Sequence, residues 1–279
     1  MSKNSSGLPI VQVTSFTCFS GDNEDISFIE MQTNLQCLSI HHESVETCLS
    51  RVNCANLTYL DVSSCFPYVH EQVLKGLHAL TLKMPHLAHL VVSRNFLRDK
   101  DFPIQSSPAK LPYTLHFSNN GLRNPLVANY LNAMDPAITT VLNLQAVRLT
   151  SVEPLLEVLK TFTNVTHLDL TGNEITKSVQ LGGLVEVFAC MPDLTILALP
   201  EQPHKGQPAI LEGLSIHNST LGSLQIQSKT PEEYKALAQY LPLMNICHLS
   251  VHSNLAKAQN AKAFVNALPL LTTLRTLEL

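Results

Sequence analysis

Residues Val165 to Thr176 read VTHLDLTGNEIT, and the reading of this one stretch decides the fold. It has the form LxxLxLxxNxI, with Val165, Leu168, Leu170, Asn173 and Ile175 at the fixed places. Leu168 and Leu170 are two apart, so an extended strand turns both toward one face. Asn173 follows with a carboxamide that can satisfy backbone groups as the chain bends out of the strand. A unit this short cannot bury its own apolar face, so it needs copies of itself alongside.

Copies run along the whole chain. Aligned on the first apolar residue of the LxL pair, the anchors are Val11, Leu38, Leu60, Leu90, Leu115, Leu142, Leu168, Leu197, Leu224, Leu249 and Leu277. Their separations are 27, 22, 30, 25, 27, 26, 29, 27, 25 and 28 residues. The second members are Val13, Ile40, Val62, Val92, Phe117, Leu144, Leu170, Leu199, Ile226, Val251 and Leu279. Asn95, Asn120, Asn173 and Asn254 hold the place five beyond the anchor, and Cys65 takes it once. Phe16, Glu43, Val147, Gln202 and Lys229 depart from that pattern, which predicts irregular turns there while the LxL core persists.

Between the anchors, apolar residues recur at helical spacing. Thr150 to Thr163 places Val152, Leu155, Leu156 and Leu159 on one stripe, with Pro154 in the first turn, where a missing N–H is harmless. Lys177 to Cys190 repeats the pattern with Leu181, Leu184, Val185 and Phe188, and Asn260 to Leu268 carries Ala263, Phe264 and Ala267. Thr230-Pro231-Glu232-Glu233 is a helix start, a capping threonine followed by proline and two carboxylates. The connectors Arg98 to Pro112 and Gln202 to Gly213 are broken by proline and are expected to be loops or interrupted helices.

Strand, turn, helix and return within one repeat spacing force parallel neighbouring strands with right-handed crossovers. Helices are wider than strands, so such a stack bends with its strands on the inside. From about Leu8 to Leu279 the chain resembles the ribonuclease-inhibitor-like class of leucine-rich-repeat proteins. The resemblance implies an α/β fold, a horseshoe-shaped solenoid of about eleven parallel strands on the concave face with helices on the convex face. A single domain, 1–279, is expected, with 1–20 supplying an N-terminal capping segment and the first strand. The chain ends on the second leucine of the eleventh pair without a C-terminal cap. The expectation there is a truncated array, or an open edge strand through which copies self-associate.

Composition narrows the function classes. The 279 residues are 45% hydrophobic and 14% charged, so the surface must rely on Ser, Thr, Asn, Gln and His. A net charge of −4 and a pI near 6.3 speak against nucleic-acid binding. No apolar run reaches membrane-spanning length, and MSKNSSGLPIVQV has no sustained apolar core of a signal peptide, so the expected compartment is the cytoplasm. Seven scattered cysteines without a CxxC pair read as thiols in a reducing compartment, not as a disulfide framework or a zinc site. Leu181-Gly182-Gly183 lies inside a helix pattern, and no phosphate loop, HExxH or EF-hand loop occurs. Neither a cofactor nor a metal is expected. Glycosylation sequons at Asn4, Asn56, Asn164 and Asn218 are incidental without a signal peptide.

Strand alternation turns the residues at −1, +1 and +3 from each anchor, joined by those at +4, onto the concave face. Seven of the twelve histidines fall there: His41, His42, His89, His116, His167, His248 and His252. His248 and His252 are four apart on one strand, about 13 Å, too far to share a metal. His116, Asn143 and Asp169 make a lateral row with neighbours about 4.8 Å apart. That row lacks a nucleophile and a water-excluding pocket, so a hydrolase is the outlying reading. The expected function is binding of a protein partner on the concave face, with no catalysis and no nucleic acid or membrane. The expected anchors are Tyr59, Asp61, His89, Val91, Arg94, Tyr113, His116, Asn143, His167 and Asp169. Tyr59 and Arg94 are of types enriched at interface hot spots. The alternative is the recognition half of a larger protein, such as a ligase substrate receptor. Another is an effector delivered by an intracellular bacterium into the host cytosol, which the chain resembles in being a bare repeat array.

Overall fold

An anchor leucine stabilises the fold only when neighbouring anchors lie beside it, and the strand pairing places them there. The computed structural model describes residues 13–19, 23–41, 45–51, 54–65, 84–95, 114–116, 127–128, 131–132, 134–175, 178–200, 206–252 and 258–279. The chain divides into two compact units, Met1–Gly121 and Leu122–Leu279.

In the first unit, β1 (Ser15–Cys18), β2 (Cys37–Ile40), β3 (Tyr59–Asp61), β4 (His89–Val91) and β5 (Thr114–His116) pair in parallel in chain order. Leu38, Leu60, Leu90 and Leu115 stand opposite one another. In the second unit, β6 (Val141–Asn143), β7 (His167–Asp169), β8 (Ile196–Ala198), β9 (Ser223–Gln227), β10 (His248–His252) and β11 (Thr276–Glu278) do the same. There Leu142, Leu168, Leu197, Leu224, Leu249 and Leu277 form one row. Each unit is thus an α/β repeat of parallel strands. Most strands show a buried anchor between half-buried or exposed neighbours. Leu60 and Leu168 are 0% exposed, and full burial of a leucine side chain contributes about 1.5–3 kcal/mol.

One anchor is corrected. The spacing assigns the first strand to Val11 and Val13, but Phe16 pairs with Leu38 and Cys18 with Ile40. The hydrophobic pattern at 16–18 also has period two. Two contacts decide the register: the Phe16 ring packs 5.2 Å from Phe28, and Cys18 is fully buried. Val13 lies before the strand, where its N–H is taken by the buried Gln32 Oε1 at 2.9 Å.

The asparagine position works as the residue type suggests, and it works between repeats. Asn173 is buried; its Nδ2 donates to Leu144 O of the preceding repeat (2.7 Å) and to Leu170 O (2.9 Å), while its Oδ1 accepts from Leu149 N at 3.0 Å. Asn95 repeats this with Val62 O, Val92 O and Cys65 N. Cys65, the single cysteine at this place, donates from Sγ to Ile40 O. Where Val147 departs from the pattern the turn differs from the others at Arg148, which adds a second positive φ to the left-handed Ala146.

Helices fill the returns. The first unit has α1 (Asn23–Glu30) and α2 (Val45–Arg51), joined by Arg51 Nε and Nη2 donating to the two Glu30 carboxylate oxygens at 2.6 Å each. The second unit has α3 (Leu156–Leu159), α4 (Ser178–Ala189), α5 (Gln207–His217), α6 (Pro231–Tyr240) and α7 (Ala258–Ala267). The Thr230 start is a full capping box: Thr230 Oγ1 accepts from Glu233 N, and the Glu233 carboxylate accepts from Thr230 N. Two expectations change. The stripe at 150–163 yields a 3₁₀ turn, Glu153–Leu155, and only four α-helical residues, because the segment closes at Thr161 and Phe162 with short-range turns. Residues 206–213, read as broken, begin α5, because Pro208 falls in its first turn, where no N–H is needed. The connector at 98–112 lies outside the described residues.

Among the described residues no helix is long and apolar enough to cross a membrane, and Cys18, Cys37, Cys48, Cys65, Cys190 and Cys247 are in the thiol form.

Candidate functional site

Because most of the anchors are buried, the residues on either side of them are carried out of the core on one face of each unit. In the first unit the −1 row runs Cys37, Tyr59, His89 across β2, β3 and β4. The Tyr59 and His89 rings lie 6.2 Å apart, tilted by 41°. The +1 row runs Ser39, Asp61, Val91, with the backbone of His116 next in register. Tyr59, Asp61 and Val91 are half-buried and His89 is exposed. Asp61 Oδ1 accepts from Ser63 N at 2.8 Å and from the Ser63 hydroxyl, so part of this carboxylate closes the turn after β3. Burial pushes the Tyr59 phenol above its ordinary range, and the neighbouring Asp61 carboxylate adds to the rise.

The register of β1 adds a residue that the spacing assigned elsewhere. Phe19 follows Cys18 and is 74% exposed, stacked on His41 with centroids 5.6 Å apart. His41 Nδ1 lies 3.2 Å from Ser63 O; a carbonyl accepts, so Nδ1 carries the hydrogen. The alternation FTCF at 16–19 is the signal that could have placed Phe19.

Arg94 is exposed but stands in the turn after β4 at φ 56°. The same place, four beyond the anchor, is left-handed at Ser64 (57°), Ala146 (50°) and Gly172 (67°). It is a turn position before it is a recognition position. Tyr113 lies outside the described residues.

In the second unit Asn143 and Asp169 are register neighbours. Asn143 Oδ1 accepts from Gln145 N at 3.1 Å, and Asp169 Oδ1 accepts from Thr171 N (2.9 Å) and Oγ1 (2.7 Å). Both therefore close turns, as Asp61 does. His167 is half-buried between Val141 and Ile196. Further along, Gln225 Nε2 lies 2.8 Å from His252 Nε2, a contact across β9 and β10 that strand spacing alone did not single out. His116 belongs to the first unit and Asn143 and Asp169 to the second, so neither unit by itself holds the lateral row.

Among the described residues no three His, Cys, Asp or Glu side chains are grouped to hold a metal. An open depression of about 650 Å³ lies in the first unit at the strand entries, lined by Asn34, Gln36, Asn56, Thr58, Pro85 and His86. Two of its groups are committed to structure: Asn56 Nδ2 donates to Thr33 O and Thr58 Oγ1 to Gln36 O. Of the sequon asparagines, Asn218 is 1% exposed, with Nδ2 bonded to Phe188 O and Met191 O.

No family model matches the chain, and no curated relative matches it. Among solved structures it is similar to a chain from the crystal structure of a TLR13–ssRNA13 complex, with a TM-score of 0.33 and 15% identity. The match covers 88% of this chain and 42% of that one. A superposition this loose carries neither fold detail nor ligand across.

Proposed function

We propose that the chain is a leucine-rich-repeat solenoid of the ribonuclease-inhibitor-like class that binds another protein on its strand face and performs no catalysis. The observation that carries this reading is the face of the first unit. There the repeat leaves ring side chains standing out of a sheet whose backbone is already paired. Phe19 is exposed on His41, and Tyr59 is half-buried beside His89. Rings of this kind present large apolar area at low entropy cost, which suits a protein interface better than it suits solvent. The carboxylate and carboxamide of the proposed hydrolase row each spend an oxygen on a turn, which favours scaffold over acid–base work.

The test is capture of partners from cytosol by the full chain and by a Tyr59→Ala, His89→Ala variant. Both side chains lie outside the buried core, so the variant should keep its melting temperature within a few degrees. Retained partners should fall by at least tenfold. Undiminished capture would remove the first unit's strand face from the function.

A further inference from the structure

Among the described residues, the strand columns of the first unit's face carry charge of one sign, and the exposed Arg94 of the +4 column stands on the turn beyond them. Among the described residues, the −1, +1 and +3 columns of that unit contain no lysine or arginine, and Asp61 is their one carboxylate. Its surroundings are aromatic. Tyr59 precedes it on the same side of the strand, and His89 stands beside Tyr59 in the next strand. Ser63 takes one carboxylate oxygen through its N–H and hydroxyl, which fixes the group's orientation. The negative face of an aromatic ring and a fixed carboxylate attract the same kind of group, a cation with an apolar stem. The cation that the strand pattern adds among the described residues of this face is Arg94, and it sits on the turn beyond β4, outside these columns.

We propose that this patch takes a basic side chain of the partner, an arginine or lysine whose stem lies on the Tyr59 and His89 rings and whose head meets Asp61. The inference rests on the reading of this face as a protein-binding surface and adds the chemistry of the anchor. An acidic peptide or a nucleic-acid backbone finds no cation in these columns to meet its charge.

A substitution can remove the charge while keeping the turn. Asn143 occupies the place equivalent to Asp61 and closes its turn with a neutral Oδ1. Asp61→Asn should therefore fold as the parent does. The probes are a hexa-arginine peptide and its hexa-citrulline counterpart, which has nearly the same shape and no charge. They are titrated into the full chain by NMR, following the ring signals of Tyr59, His89 and Phe19. The expected result is that hexa-arginine shifts the Tyr59 and His89 signals and hexa-citrulline does not, with Asp61→Asn weakening the hexa-arginine affinity about two- to fivefold. Equal shifts with both peptides would overturn the proposal, as would unchanged affinity in Asp61→Asn with the fold retained. If capture of a partner depends on Tyr59 and His89 while hexa-arginine leaves their signals in place, the basic anchor fails and the binding face stands. If capture ignores those residues, the binding face itself fails.

Discussion

At the scale of single residues, the repeat assigns one side chain per turn to hold two neighbouring repeats together. Asn173 serves Leu149 N, Leu144 O and Leu170 O from a buried position. Asn173→Ala leaves these groups without water or partner, at about 1–3 kcal/mol for each unsatisfied group. A loss of at least about 3 kcal/mol is expected in urea unfolding. Asn173→Asp should be no milder, because a carboxylate cannot donate to the two carbonyls. The left-handed turn place makes a prediction of opposite sign. Arg94 sits at φ 56°, where a side chain costs about 1–2 kcal/mol relative to glycine. Glycine loosens the unfolded chain as well, so Arg94→Gly should stabilise by about 1 kcal/mol or less in the same measurement. Gly172 shows the relaxed form: at φ 67° it already lies where an added Cβ would come within 3.0 Å of Ala146 Cβ. Asp169 is the instructive residue. Its place in VTHLDLTGNEIT puts it beside the buried anchor Leu168, and there it is half-buried. Its hydrogen bonds to Thr171 nevertheless make it half scaffold, a role that strand spacing cannot reveal.

At the scale of elements, the strands were legible because their period of two is rigid and their register is enforced by burial. Ten of the proposed anchors, from Leu38 to Leu277, stand where the spacing puts them. The first did not, since apolar alternation at 11–13 and at 16–18 is equally good on paper and the Phe16–Phe28 contact chooses between them. Helices were read less well. The Thr230 start was clear because a capping box is local chemistry. The start of α5 at Gln207 is ambiguous in the sequence because the proline that follows, Pro208, is of a type that both breaks helices and begins them. Packing between helices was not legible at all. A Cβ on Gly213 of α5 would collide with Val185 Cγ1 of α4, and a β-branched valine in a helix has little freedom to turn away. Alanine favours helix over glycine by about 1 kcal/mol, and the overlap costs about 1–3 kcal/mol. Gly213→Ala should therefore destabilise on balance in thermal melts, and Val185→Ala in the same chain should recover part of the loss.

At the scale of the whole molecule, the sequence by itself determined the repeat: its period, its buried leucines, its parallel neighbours and the side chains that leave the core. These follow from the geometry of an extended chain and the need to bury one apolar face, conditions that act on every copy alike. Tertiary structure decided which outward residues are available to a partner. Asp61, Asn143 and Asp169 are each drawn into a turn, Phe19 enters the face through a register set by Phe28, and Arg94 is held in a left-handed bend. Each of these outcomes depends on contacts between residues far apart in the chain or on the backbone conformation of one turn. A pattern of apolar and polar letters repeats the first kind of information many times and carries almost none of the second.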